Sequence, residues 1–279
     1  MEVQVTLDIQ GAYDATGFYL SECARKNNYL IPQDFTFIKM RLASFAFYDM
    51  SFRYKNQFFA ILLDIRHNNS SIFEDISERK GRLIKFCQDN NLIPCLFPLN
   101  MSFVQENGKY GYGTYLGGRH TSKQAFSPQN RDNWNLIHAV TNTPINPSAL
   151  ATDEPIEMSE YEQYNFATEI AKQIVAKEHG DIVEWNDVLP SNSPQLTYIN
   201  RNHNVEEWCC VRVVDKPIEE LTTSEIQEAT KDTHIFNPIF SHNGLFFLIY
   251  IQNKNRTDFV HNYQYKVKEA FRTLYEIIN

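Results

Sequence analysis

Glycine and proline are both sparse in this chain, at 10 and 11 of 279 residues, which excludes a low-complexity or linker-dominated polypeptide. No apolar run approaches the roughly 20 residues that span a bilayer. The amino-terminal MEVQVTLDIQ has no basic region followed by an apolar core, so neither a membrane anchor nor a secretory signal is expected. Clusters of basic charge are missing too. The 26 Lys and Arg are scattered among 34 Asp and Glu, for a net charge of −8 and a pI near 5.5. Phosphate neutralisation supplies most of the affinity of nucleic-acid binders, so this balance argues for protein partners or small ligands instead.

Several chemistries lack their residues. There is no Gly-x-Ser-x-Gly elbow, no His-Glu-x-x-His, and no Cys/His spacing of a zinc site. The run Gly111-Tyr112-Gly113-Thr114-Tyr115-Leu116-Gly117-Gly118-Arg119-His120 has neither the third glycine of a dinucleotide fingerprint nor the Gly-Lys-Ser/Thr of a P-loop. The five cysteines (Cys23, Cys87, Cys95, Cys209, Cys210) form no Cys-x-x-Cys pair and leave an odd count. That fits buried thiols in a reducing cytoplasm.

What the chain does have is aromatic strand material, with 20 Phe and 15 Tyr, and a plan that repeats. In the second half, Ser159-Glu160-Tyr161-Glu162 reads as a capping box opening a helix that His179-Gly180 stops. Strands follow at DIVEW from Asp181, QLTYIN from Gln195 and EWCCVRVV from Glu207, then a short helix around Ser224 to Ala229. Strands at Ile235–Phe240 and Leu245–Ile251 and a final helix over Asp258 to Ile278 complete it. The first half reads alike: a helix from Asp14, a strand from Phe35, a hairpin over Asp49 to Arg66 and a helix over Arg79 to Asn90. Strands at Leu92–Phe97 and Tyr110–Leu116 and a short helix over Asn133 to Val140 close it. The expected fold is α+β, two tandem copies of an α-β-β-β-α-β-β-α unit with mainly antiparallel sheets. The units span residues 1–140 and 158–279, and the proline-bearing stretch 141–157 is the linker.

The hairpin DMSFRYKNQFFAILLDIR carries the one acidic arrangement with chemical potential. With Asn56-Gln57 as a two-residue turn, Asp49 falls opposite Asp64, and Arg66 lies two residues on along the same face. Opposed like charges are unfavourable unless a cation or water lies between them. This resembles the PD-(D/E)xK nuclease pattern over about the first 90 residues. The resemblance implies Mg²⁺ held by Asp49 and Asp64, with Arg66 at the lysine position and Glu22 as a helical acid. Arg66 is a poor replacement for lysine, Tyr48 stands where proline is expected, and Glu22 faces away from the apolar stripe of its helix. The second half has Gln195 in place of the first acid.

The repeated unit, acidic and without a catalytic constellation, also resembles type III secretion chaperone-like domains. That resemblance implies a cofactor-free protein that holds another protein, either as an internal pseudo-dimer on one chain or as a homodimer. Trp185, flanked by Asp181, Glu184 and Asp187, is the candidate partner surface. The sequence thus points to a non-enzymatic, cytoplasmic protein-binding module, with a Mg²⁺-dependent nuclease or its inactive descendant as the alternative.

Overall fold

The computed structural model describes residues 7–25, 35–39, 47–103, 124–131, 133–185, 194–230, 244–252, 254–256 and 265–272. The chain divides into two compact units, Met1–Pro155 and Ile156–Asn279, each with helices on a mixed sheet. In the first unit the order is α1 (Ile9–Arg25), β1 (Phe35–Lys39), β2 (Met50–Tyr54), β3 (Gln57–His67), β4 (Ser70–Ser71), α2 (Ile76–Asp89) and β5 (Ile93–Phe103). Then come β6 (Gln124–Pro128), β7 (Leu136–His138), β8 (Pro144–Ile145) and α3 (Pro147–Leu150). The sheet runs β1-β2-β3-β5-β7-β8, with β4 on β3 and β6 on β5. All its pairings are antiparallel except β3 with β5.

Strand β3 is buried from Phe58 to Ile65, which is why FFAILL reads as a continuous apolar run rather than an alternation. Phe59, Ile61, Leu63 and Ile65 pack with Ala12, Tyr13, Ala15 and Leu20 of α1, and with Cys95, Phe97 and Leu99 of β5. The crossover between the parallel strands β3 and β5 passes through α2, the usual connection for a parallel pair.

The second unit runs α4 (Glu160–Glu178), β9 (Gly180–Trp185), β10 (Leu196–Asn200), β11 (Glu206–Val214), α5 (Thr223–Thr230), β12 (Gly244–Ile251) and β13 (Tyr265–Arg272). Its sheet order is β13-β12-β11-β10-β9, with β11 and β12 the parallel pair. The Ser159/Glu162 capping box forms as its spacing indicates. Cys209 packs toward α4 while Cys210 joins Trp208, Phe246 and Leu248 on the other face, the alternation a strand imposes on adjacent residues.

Three expectations change. Residues 265–272 form β13, antiparallel to β12, where a helix was expected; Tyr265-Lys266-Val267-Lys268 alternates with period two, and the apolar β12 gains a second ladder partner. Asn133 to Val140 is not a helix either. Asn135 takes φ 55°, and its buried amide donates to Pro98 O at 2.8 Å and accepts from Asn130 N–H at 2.9 Å, so the chain turns there and enters β7. The stretch 141–157 carries β8 and α3, with Ile145 and Pro147 buried. The expected strands at Tyr110–Leu116 and Ile235–Phe240 and the glycine-rich run 111–120 lie outside the described residues.

Gly244 pairs with Trp208 across the parallel ladder, and a Cβ there would sit 2.2 Å from the indole. Trp208 is fully buried, so its ring could give way only within the core. Gly244→Ala is therefore expected to destabilise the second unit by about 1–3 kcal/mol, the usual cost of overpacking. Urea unfolding would show this as a lower midpoint at unchanged slope; an unchanged midpoint would mean the ring can shift freely.

Candidate functional site

The hairpin turns one residue earlier than the sequence indicates. Tyr54 pairs with Gln57, so Lys55 and Asn56 form the turn, with Lys55 at φ 51°. Asn56 explains the choice. Its buried side chain donates to Thr152 Oγ1 and Glu154 O, both at 2.8 Å, and accepts from Thr152 N–H at 2.9 Å. These three bonds anchor the residue at the second position of the turn. The pairing consequently slides, and Asp49 lies across from Leu62 instead of Asp64, its N–H donating to Ile61 O at 2.8 Å.

Asp49 is 3% exposed, immediately before β2. One carboxylate oxygen accepts from Leu63 N–H at 2.8 Å, the other from Arg79 Nη2 at 2.7 Å. Arg79 reaches it from the first turn of α2, its guanidinium 4.5 Å from the centre of the Phe73 ring. Tyr13 of α1 belongs to the same group: burial pushes its hydroxyl well above the usual range, and the Asp49 carboxylate pushes it further, while Arg79 opposes. A tyrosine so placed stays protonated.

Asp64, 4% exposed, lies on β3. Its Oδ2 accepts from Arg66 Nε at 2.7 Å and Nη2 at 2.5 Å. Its Oδ1 is buried and has no hydrogen-bond partner among the described residues. Glu22 is exposed and pairs with Arg25 at 2.8 Å, so it stands on the solvent side of α1, apart from the two aspartates. Both acids a nuclease would use are therefore already neutralised by arginines. A divalent ion, which takes oxygen ligands, would have to displace Arg79 to reach both oxygens of Asp49. The residues do not fit a metal in this arrangement, and no group of three or more His, Cys, Asp or Glu among the described residues could hold one.

The second unit has a counterpart. Gln195 precedes β10 as Asp49 precedes β2; its N–H donates to Cys209 O at 3.0 Å, and its Oε1 accepts from Val211 N–H at 2.6 Å and from Arg212 Nη1 at 3.3 Å. By strand register Arg212 occupies the position of Asp64. Tyr164 is the fifth residue of α4, as Tyr13 is of α1. Burial raises its hydroxyl, and Arg212 opposes that shift. Sequence reading missed Tyr13, Tyr164 and Arg79. The two tyrosines hold matched positions in α1 and α4, but starting the first helix at Asp14 left Tyr13 outside it; nothing local marks Arg79, which is 30 residues from the carboxylate it holds.

Trp185, Glu184 and Asp181 lie on β9, at one edge of the described sheet, and Asp187 lies outside the described residues. Asp181 and Val183 are exposed. The ladder with β10 is irregular between Glu184 and Ile182, and such a bulge, with edge acids, discourages another strand from adding there. Three of the buried thiols offer no nucleophile: burial alone pushes Cys87 up to about 12, and raises Cys95 and Cys210 as well. No described helix is long and apolar enough to cross a membrane.

No protein-family model, curated protein or solved structure matches this chain.

Proposed function

We propose that the chain is a non-enzymatic protein-binding module, whose first unit keeps the hairpin of a PD-(D/E)xK nuclease without its metal chemistry. The observation that carries this reading is the pairing of each acid with its own arginine, Asp49 with Arg79 and Asp64 with Arg66. Both carboxylates are buried, and a buried carboxylate paired with a guanidinium has its charge compensated without an ion from solution. The second unit lacks even the acids, having Gln195 and Arg212 at the two positions. A net charge of −8 favours a protein over a nucleic acid as partner. The holding of another protein is what the resemblance to type III secretion chaperone-like domains implies.

One feature favours the nuclease as a second reading. Asp64 Oδ1 is a buried acceptor with nothing donating to it among the described residues, and such an atom invites a ligand. Thermal unfolding with and without millimolar Mg²⁺ or Mn²⁺ separates the two, on the wild type and on Asp64→Asn. The expected result is no shift in either protein, and no cleavage of single- or double-stranded DNA or RNA. An ion at about 100 times its dissociation constant would add roughly 2.7 kcal/mol. A shift of that size that disappears in Asp64→Asn, with nicked substrate, would establish the nuclease instead.

A further inference from the structure

Asp49 and Gln195 make the same contacts in two hairpins. Each precedes the second strand of its unit, donates its N–H across the pair, and turns its side-chain oxygen onto a backbone N–H of the third strand, Leu63 or Val211. Each also receives a guanidinium, and each guanidinium lies over an aromatic ring, Arg79 over Phe73 at 4.5 Å and Arg212 over Phe246 at 5.6 Å. The arginines come from different places. Arg79 arrives from α2, whereas Arg212 grows from the central strand itself, at the position where the first unit has Asp64.

We infer that the Arg79 guanidinium is a built-in cation, occupying at Asp49 the place a divalent ion would need, and that the Asp49 carboxylate works as the Gln195 amide does. In both units the side-chain oxygen splints the second strand to the third, and the arginine completes it. Where the oxygen is neutral, as in Gln195, the arginine contributes one hydrogen bond. Where it is a buried carboxylate, as in Asp49, the arginine is the counter-charge, and removing it strands a charge out of water. The inference rests on the non-enzymatic reading of this site, because a metal on Asp49 Oδ1 and an arginine on the same oxygen exclude each other.

A double-mutant cycle on the full chain tests it. Arg79→Met alone is expected to lower Tm by on the order of 10 °C. Asp49→Asn alone should also cost stability, since its oxygen can still accept from Leu63 N–H but its N–H₂ then faces the Arg79 guanidinium, and Asp49→Asn/Arg79→Met should recover most of the Arg79→Met loss. If Arg79→Met does not fold, recovery of a folded protein by the second substitution carries the same information. Millimolar Mn²⁺ should leave the wild type unmoved. A loss that persists unchanged in the Asp49→Asn background would overturn the inference. That failure would leave the non-enzymatic reading standing. Stabilisation of the wild type by Mn²⁺, abolished by Asp49→Asn, would remove both.

Discussion

Replacing Arg256 by methionine is expected to cost the second unit about 3–5 kcal/mol, the range for removing one partner of a buried ion pair. Arg256 and Glu162 have side chains only 1% exposed each, and the guanidinium holds both carboxylate oxygens, with Nε at 2.8 and 3.0 Å and Nη2 at 2.6 Å. Glu162 is also the residue that returns to Ser159 N–H in the capping box, so one carboxylate ties the start of α4 to the segment beyond β12. Backbone bonds follow the same path: Met158 N–H to Lys254 O at 2.7 Å and Arg256 N–H to Ile156 O at 2.8 Å. Without the guanidinium the carboxylate is left charged and out of water. Adding Glu162→Gln should return much of the loss, because a neutral amide can still serve the cap and no buried charge remains. Urea unfolding of the four proteins measures this directly. A loss under about 1 kcal/mol for Arg256→Met would show that water reaches the carboxylate, and a loss untouched by Glu162→Gln would assign it to the packing of the arginine stem.

That pair illustrates which parts of this fold are legible in sequence. Ser159 and Glu162 are three residues apart and announce a cap by spacing alone, and the cap is there. Arg256 is 94 residues from Glu162, and no pattern of local sequence connects them. The same division runs through the candidate site. Asp64 and Arg66 are two residues apart on a strand, share a face by its period, and do meet. The register of Asp49 depends on a distant fact, the capture of the Asn56 side chain by Thr152 and Glu154. Any chain segment that settles a turn from 96 residues away is invisible to turn chemistry, which reads Lys-Asn-Gln as two equally good turns.

Strand against helix was decided by the same kind of distance. The stripe Val260, Tyr263, Val267, Phe271, Leu274 and Ile278 has a helical period, and Tyr265-Lys266-Val267-Lys268 has a strand period. Short apolar patterns admit both. The deciding partner is β12, an apolar strand from Leu245 to Ile251 that offers a ladder edge to whatever follows it. The α+β class survives such exchanges, because it depends on how many elements of each kind the chain holds rather than on which period wins at one terminus. The inventory of the site is less forgiving: one guanidinium from α2 changes Asp49 from a candidate metal ligand into the closed half of an ion pair.

The second large effect is expected at Trp134, where substitution by alanine should destabilise the first unit by about 3–5 kcal/mol. Trp134 is 1% exposed, sits between β6 and β7, and packs on the β1–β2 pair. Its ring stacks on Phe52 at 5.9 Å with planes 9° apart, lies 6.0 Å from Phe35, and meets Tyr54 edge-on at 5.7 Å. Phe52 in turn stacks on Phe59 of β3 at 4.9 Å. The indole is thus the wedge between the hairpin that carries Asp49 and the rest of the core, and removing it opens a cavity that Phe35 and Tyr54 can fill only by moving β1 and β2. Trp134→Phe separates ring volume from ring chemistry. The indole N–H is buried without an acceptor among the described residues, so phenylalanine sheds an unsatisfied donor while keeping most of the stack, and its net cost should be under half that of alanine. Calorimetry of the three proteins gives the order wild type, Trp134→Phe, Trp134→Ala in falling Tm. Equal losses for phenylalanine and alanine would mean that the indole N–H has a partner after all, and that the hairpin is held by a hydrogen bond more than by stacked rings.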